Sequence, residues 1–245
     1  MTSRPPPRID PNLVTDRDVD RLPVGDFERR AAEIARLLAT EKPAGTRARQ
    51  TSRWQDEVIA REIPQGARVL DLGCGEGALL ERLMRERGVR GQGVEIDPEA
   101  VFACVDRGVP VLQADLDEGL RRFPDGSFDV VVLEETLQTL SSPHDMLNEM
   151  LRVGRRGIVS FPNFAHWRVA VDLVARGRMP ITEWLPYAWY DSANIHPFTL
   201  RDLLDWSQSS GVRVVAGYAL DDGQVRALGE DDNLHAEEVL IVVER

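Results

Sequence analysis

Four carboxylates close four apolar runs of the chain: Asp71 in "RVLDL", Glu95 in "GQGVEID", Asp115 in "VPVLQAD" and Glu134 in "FDVVVLE". Behind the first come glycines at 73, 75 and 77, in "DLGCGEG". A buried strand that breaks into glycines lets a ligand approach the backbone more closely than any side chain permits, and several cofactors use such a loop. The spacing is not that of a dinucleotide site, whose third glycine comes one residue later, nor of a P-loop, which ends in Gly-Lys-Ser/Thr. Carboxylates in these places would repel a pyrophosphate and attract a ligand carrying a sulfonium and an ammonium. S-adenosylmethionine has both. Glu95, 22 residues after Gly73, is placed to accept hydrogen bonds from both ribose hydroxyls. Asp115 can accept from the adenine amine, with Ile96 and Leu116 sandwiching the base. Asp71 can cap the helix that follows the loop, where an acid is favoured electrostatically. Asp97 and Asp117 read as helix caps outside the site.

Such a set needs a scaffold that brings strand ends together. Downstream of residue 64 the chain alternates: "RVLDL", "GQGVEID", "VPVLQAD", "FDVVVLE" and "RGIVSFP" read as strands separated by helical stretches, and "VRVVAGYAL" and "EEVLIVVER" complete seven. Strands that are nearly all apolar and alternate with helices belong to a mostly parallel sheet covered on both faces, a Rossmann-like α/β fold. In such a sheet the ligand sits beyond the carboxyl ends of the strands, where the four acids stand. Helix signals agree: Asp97 with Pro98 and Gly108, then Ser142 with Pro143, Asp145 and Gly154, and a capped helix in "FTLRDLLDWSQSSG". Upstream, residues 1 to about 23 read as an extended proline-rich arm. A helix is expected from Asp26 to Thr40, with Phe27, Ala31, Ile34, Leu37 and Leu38 on one face, and a second from Ser52 to Ile63, stopped by Pro64. The expected division is an N-terminal extension, 1–50, and a domain, 51–245.

Composition narrows the classes. A chain of 245 residues with 42% hydrophobic residues can bury a substantial core. Its net charge of −11 argues against nucleic acid, acidic substrates and membrane surfaces as partners. No signal-like apolar stretch opens the sequence and no window is long and apolar enough for a membrane helix, so a cytoplasmic location is expected. Cys74 and Cys104 share no ligand spacing, so neither a disulfide nor a zinc site is expected.

"VLDLGCGEG", "GVEID", "QADLDEGL" and "FDVVVLEETLQ" resemble the motifs of class I S-adenosylmethionine-dependent methyltransferases. "GVEIDPEAVFACVDRGVPVLQADLDEGL", "EMLRVGRRGIVSFPNFAHWRV", "GRMPITEWLPYAWYDSANIH" and "NLHAEE" are similar, in order and spacing, to the MetW family of methionine biosynthesis proteins. The resemblance covers about residues 51 to 245. It implies the class I methyltransferase fold, a cofactor that is S-adenosylmethionine or S-adenosylhomocysteine, and a place for Asp71 at the methionyl amine. It also implies homoserine O-acyltransferase as a partner. Glu134 and Glu135 depart from the smaller or uncharged residues the family would place there.

Two functional classes follow. One is a binding or regulatory subunit that acts with the acyltransferase in methionine biosynthesis. The alternative is a methyltransferase acting on an unidentified small molecule or protein. Methyl transfer needs an acceptor held in line and sometimes deprotonated, so catalytic groups can be inconspicuous. The Asn-Pro-Pro-Tyr type motif of amine-methylating enzymes is absent, since "LEETLQ" stands there. Glu134, His166, Tyr190 and His196 are the candidate positioning groups or bases. His166 follows a strand and is expected toward the carboxyl-end face, with a purely structural histidine as the other reading. The segment Trp184 to His196 is rich in aromatic residues with polar tips, which suits a lid, an interface or a self-satisfied plug of the sheet edge. Arg152, Arg155, Arg156, Arg168, Arg176 and Arg178 form a basic zone, mostly solvated helix faces with some able to meet an acidic partner.

Overall fold

Val69 and Leu70 point to opposite faces of the sheet because side chains alternate along a strand, and the sequence supplies an apolar residue for each face. The same holds for Val130 to Leu133 and for Val239 to Val243, so the central strands are buried on both sides. A computed structural model describes residues 29, 31–36 and 54–245. Its strands are β1 (Arg68–Leu72), β2 (Arg90–Glu95), β3 (Val111–Gln113), β4 (Phe128–Glu134), β5 (Gly154–Pro162), β6 (Arg213–Asp221), β7 (Gln224–Ala227) and β8 (Glu238–Glu244). They form one sheet in the order β3-β2-β1-β4-β5-β8-β6-β7. The first five are parallel, while β8 pairs antiparallel with β5 and β6.

The helices are α1 (Trp54–Glu62), α2 (Ala78–Arg87), α3 (Pro98–Asp106), α4 (Pro143–Val153), α5 (Trp167–Val171), α6 (Leu200–Ser209) and α7 (Asp232–His235). One face of the sheet packs Leu147 and Met150 of α4 and Leu203 and Trp206 of α6. The other takes Val58 and Ile59 of α1, Leu80 and Leu83 of α2 and Cys104 of α3. Truncating any of these to alanine would cost about 2–5 kcal/mol, because the fully buried site collapses only in part.

The strand count is eight rather than the expected seven. The additional strand, β7, is exposed along its length, so burial leaves no apolar pattern to read. It forms because Asp222 and Gly223, with φ of 49° and 75°, make the left-handed two-residue turn that joins it to β6. The capping expectations divide. Asp97 accepts from Glu99 N at the start of α3, and Thr199 with Asp202 completes a capping box on α6. Ser142 makes no side-chain bond to α4, whose start relies on Pro143 at its first position.

By its contacts the chain divides into two units, residues 1–48 and 49–245. All labelled elements belong to the second. Residues 29 and 31–36 are helical, within the helix expected from Asp26 to Thr40; the rest of that helix, the proline-rich arm, Ser52 and Arg53 lie outside the described residues. No helix among the described residues is long and apolar enough to cross a membrane.

Candidate functional site

The strand order reverses between β1 and β4: β2 and β3 follow on one side of β1, and β4 opens the other. Loops that leave their carboxyl ends there diverge and open a crevice. The glycine loop lines it. Gly73 N and Cys74 N both donate to Val94 O, at 2.9 and 3.1 Å, which ties the loop to β2. All three glycines have positive φ. A Cβ at Gly73 would lie 2.6 Å from Thr136 Oγ1, and one at Gly77 would lie 2.8 Å from Cys104 Sγ. At Gly75 it would meet nothing within 4 Å. Two glycines therefore permit close packing, and the middle one leaves bare backbone that a ligand can approach.

Glu95 braces this loop. Its Oε2 accepts from Gly75 N at 2.8 Å, and its Oε1 accepts from Ile96 N at 2.8 Å and Asp97 N at 3.0 Å. A carboxylate offers about four acceptor directions, so three amides orient Glu95 and leave capacity on Oε2. Asp71 is only 3% exposed at the end of β1. Asp115 caps the short helical turn Leu116–Glu118 by accepting from Asp117 N. Asp117, expected as a cap, instead grips Ser141 through its backbone N and its hydroxyl, at 2.9 and 2.8 Å. Ile96 is exposed and Leu116 buried. A cavity of about 450 Å³ lies against Asp115 and Leu116, lined also by Val94, Leu112, Ala114 and Phe123; the glycine loop does not line it.

Cys74 and Cys104, 30 residues apart, bring their sulfurs to 3.9 Å, a proximity that no local spacing announces. Burial, chiefly, pushes both thiols above their ordinary range, and the Asp71 charge adds to it, so both stay protonated at neutral pH. No group of three or more His, Cys, Asp or Glu among the described residues could hold a metal ion.

The four candidate catalytic residues come from three places: the end of β4, the start of α5 and the segment from Trp184 to His196. Glu134 ends β4 beside the crevice. His166 is 1% exposed and caps α5, its Nδ1 accepting from Arg168 N at 3.2 Å, which leaves the proton on Nε2. Burial pushes its pKa down to about 3, and the ring packs edge-on to Trp184 at 4.8 Å. Tyr190, 70% exposed, stands edge-to-face with Trp189, 76% exposed. His196 is exposed; it and Ile195 are tethered through their backbone N–H groups to Gln138 O, both at 3.0 Å. In the basic zone, Arg152 pairs with Glu149 and Asp125, Arg156 with Glu244, Arg168 with Glu237 and Arg176 with Asp172.

Glu135, already marked as a departure from the family, stands at the neighbouring strand ends with Gln55 and Glu238, for which no role was expected. Gln55 Nε2 donates to Glu135 Oε1 and to Glu238 Oε2, each at 2.9 Å, and the Trp54 indole N–H donates to the same Glu238 oxygen. Gln55 is buried on the α1 face that carries Val58 and Ile59. A polar residue on that apolar stripe was the available signal. Glu135 has φ 47°, held there as its N–H donates to Ser160 O and Oγ. Asn163 acts as a clamp: its Nδ2 donates to the carbonyls of Asp232, Asn233 and Ala236, and its Oδ1 accepts from Ala165 N and Leu200 N.

A family model described as methionine biosynthesis protein MetW matches residues 53–243. The chain is 35% identical over 221 residues to a bifunctional methionine biosynthesis protein MetXA/MetW of Rhodopirellula baltica, covering 86% of this chain and 36% of that one. It is 34% identical over 98 residues to a 2-methyl-6-phytyl-1,4-hydroquinone methyltransferase of Synechocystis, covering 39% of this chain and 31% of that one. The chain thus spans about a third of the length of these curated relatives. Among solved structures, an S-adenosylmethionine-dependent methyltransferase of Thermotoga maritima superposes with a TM-score of 0.58 at 17% identity, over 90% of this chain and 95% of that one. The [4+2]-cyclase SpnF superposes with 0.57 at 16%, over 91% and 95%. These likenesses show the class I methyltransferase fold, which carries more than one chemistry. The chain belongs to the methionine biosynthesis protein MetW family.

Proposed function

We propose that the chain binds S-adenosylmethionine or S-adenosylhomocysteine at the crevice between β1 and β4 and acts as a partner or regulatory subunit of homoserine O-acyltransferase in methionine biosynthesis. Gly73, Gly75 and Gly77 would admit the ligand to the backbone, Glu95 would hold the ribose, Asp115 with Ile96 and Leu116 the adenine, and Asp71 the methionyl amine. When bound, S-adenosylmethionine supplies an electrophilic methyl on a sulfonium; residues of this chain need only hold the ligand for a binding role. The observation that carries the partnership is the Rhodopirellula relative, whose name joins MetXA and MetW in one protein. The exposure of Tyr187, Trp189, Tyr190 and Ile195 supports the segment from Trp184 to His196 as the surface for such a partner. Exposed aromatic groups in one segment mark an interaction site.

Ligand and partner would be coupled if the ligand prefers one of the two states, free or associated, and the coupling acts equally in both directions. The test is a pull-down of homoserine O-acyltransferase, run beside a labelled-methyl transfer assay, on the natural chain and on the double variant Trp189→Ala/Tyr190→Ala. Buried aromatic anchors are worth about 2 kcal/mol or more each, so association is expected to weaken at least thirtyfold while ligand affinity holds. Association intact together with methyl transfer lost would sink this reading in favour of an enzyme whose aromatic segment covers its acceptor.

A further inference from the structure

Cys74 and Cys104 have no part in the cofactor reading, and both sulfurs sit in spaces that glycines leave. A Cβ at Gly93 of β2 would collide with Cys74 Sγ, and one at Gly77, just before α2, would lie 2.8 Å from Cys104 Sγ. Two glycines from different parts of the fold thus make room for two sulfurs that stand 3.9 Å apart. A disulfide bond measures about 2.05 Å, so the sulfurs would close by roughly 1.9 Å, within reach of modest rotations about the two Cα–Cβ bonds. Their separation in sequence argued against a disulfide; their placement does not.

The two thiols differ in access. Cys104 is 0% exposed on the buried side of α3, while Cys74 is partly exposed. A small oxidant therefore meets Cys74 first, with Cys104 in contact behind it. The pair also touches the place where a ligand would approach the backbone. Cys104 Sγ donates to Gly75 O at 3.1 Å, and Gly75 N–H is held by Glu95 at 2.8 Å, so this glycine is fixed from both ends of its backbone. Oxidation takes the thiol proton away, leaves Gly75 O without that donor and draws Cys74 toward α3.

We propose that Cys74 and Cys104 form a redox switch of the glycine loop: a hydroperoxide converts the pair to a disulfide, and the disulfide weakens the loop's hold on its ligand. The first half stands on the sulfur geometry, and the second rests on the cofactor reading. With hydrogen peroxide, an S–O bond forms at Cys74 as the O–O bond breaks, giving a sulfenic acid and one water. Cys104 sulfur then attacks Cys74 sulfur; the S–S bond forms, the S–O bond breaks, and the hydroxyl leaves with the Cys104 proton as a second water. Burial keeps both thiols protonated, so the first step is slow at neutral pH and the pair answers sustained exposure, whereas the second step has its nucleophile already in contact.

The full chain is treated with hydrogen peroxide at neutral pH, quenched with catalase and taken to mass spectrometry without reductant. The expected product is a monomer lighter by two hydrogens, with residues 74 and 104 in one cross-linked peptide that dithiothreitol separates. Dimedone should trap a sulfenic acid at Cys74 in Cys104→Ala, and Cys104 should stay a thiol in Cys74→Ala, with melting temperature recorded to certify the fold of each variant. S-adenosylhomocysteine should bind the oxidised chain at least tenfold more weakly than the reduced one, and dithiothreitol should restore the affinity. Sulfinic acid at Cys74 beside an unreacted Cys104, or disulfides only between chains, would overturn the proposal, as would equal affinity of the oxidised and reduced chains. A reduced chain that does not bind S-adenosylhomocysteine would overturn the cofactor reading and the second half of the proposal with it, while the mass result still decides the first.

Discussion

Replacing Glu95 by glutamine separates the loop brace that the structure shows from the ribose contact proposed for the same side chain. Oε1 faces the amides of Ile96 and Asp97, and Oε2 faces that of Gly75. Glutamine keeps one acceptor oxygen, which can serve Ile96 and Asp97, and turns an NH2 toward Gly75 N–H. One of the three bonds that tie the glycine loop to β2 is lost, and so is the charge, while the Gly73 and Cys74 bonds to Val94 O remain. A hydrogen bond to a charged acceptor contributes about 1.5–3 kcal/mol. At about 2–4 °C per kcal/mol for a unit of this size, the ligand-free melting temperature should fall by roughly 3–12 °C. Two ribose hydroxyls would also lose a charged acceptor, about 2–4 kcal/mol, or roughly 30- to 1000-fold in the affinity for S-adenosylhomocysteine. Calorimetric titration gives the affinity and differential scanning fluorimetry the stability, on the same preparations. If the melting temperature falls while the affinity holds, Glu95 is a loop brace alone and the ribose assignment is refuted. If the affinity falls with no change in melting temperature, the Gly75 bond is not what holds the loop.

The glycine loop makes a second prediction: Gly73→Ala, with φ of 74° and Thr136 Oγ1 in its path, should lose about 1–3 kcal/mol in denaturant unfolding. Gly75→Ala should lose less stability and more ligand affinity, because space beside it is open; equal losses of stability would contradict this. The raised carboxylates give a pH dependence. Glu237 and Glu238 are both pushed up to about 7, chiefly by burial, so their protonated forms favour the folded state; that stability is full below about pH 4.5 and is lost as pH rises through 7. Glu238→Gln should flatten the decline by roughly 2–3 kcal/mol, read from urea unfolding at pH 5 and pH 8, and an unchanged slope would show that Glu238 titrates normally. His166 works in the other direction: with its pKa lowered to about 3, its contribution is present above about 6.5 and lost as pH falls toward 3. The protonated thiols Cys74 and Cys104 should react with iodoacetamide at pH 8 at least tenfold more slowly in the folded chain than in urea; comparable rates would mean that the loop opens freely.

What could be read in advance follows from how each feature is encoded. The strands were legible because the sheet is buried on both faces, so every residue of "VVVL" must be apolar whichever way it points. β7 lacks that constraint, and only "DG" at its turn marks it. The glycine loop was legible from residue type, whereas the three amides on Glu95 were not, since a carboxylate at a strand end looks the same whether it grips backbone or waits for a ligand. The cysteine pair depends on how α3 lies against the loop, which no local spacing records. Glu135 adopts a left-handed φ that residue type argues against, because Ser160 of the adjoining strand supplies two acceptors for its N–H.

Three of the stretches that carry the family resemblance do different work from what their residue types first indicate. "SFPNFAHW", "NIH" and "NLHAEE" carry histidine, asparagine and aromatic groups, a composition that invites a catalytic reading. In the fold the first meets the third, and the second is held by Gln138. Asn163 of the first holds the backbone of the third through three carbonyls, Gln138 holds the second through the Ile195 and His196 amides, and His166 spends Nδ1 on a helix cap. Asn163, saturated by backbone in this way, is a positioning group, and what it positions is the turn that delivers Glu237 and Glu238 to the end of β5. The two glutamates of "HAEE" then have opposite fates. Glu237 is answered by Arg168, four residues beyond "FPNF", while Glu238 crosses to Gln55 and Glu135 and finds no cation among the described residues.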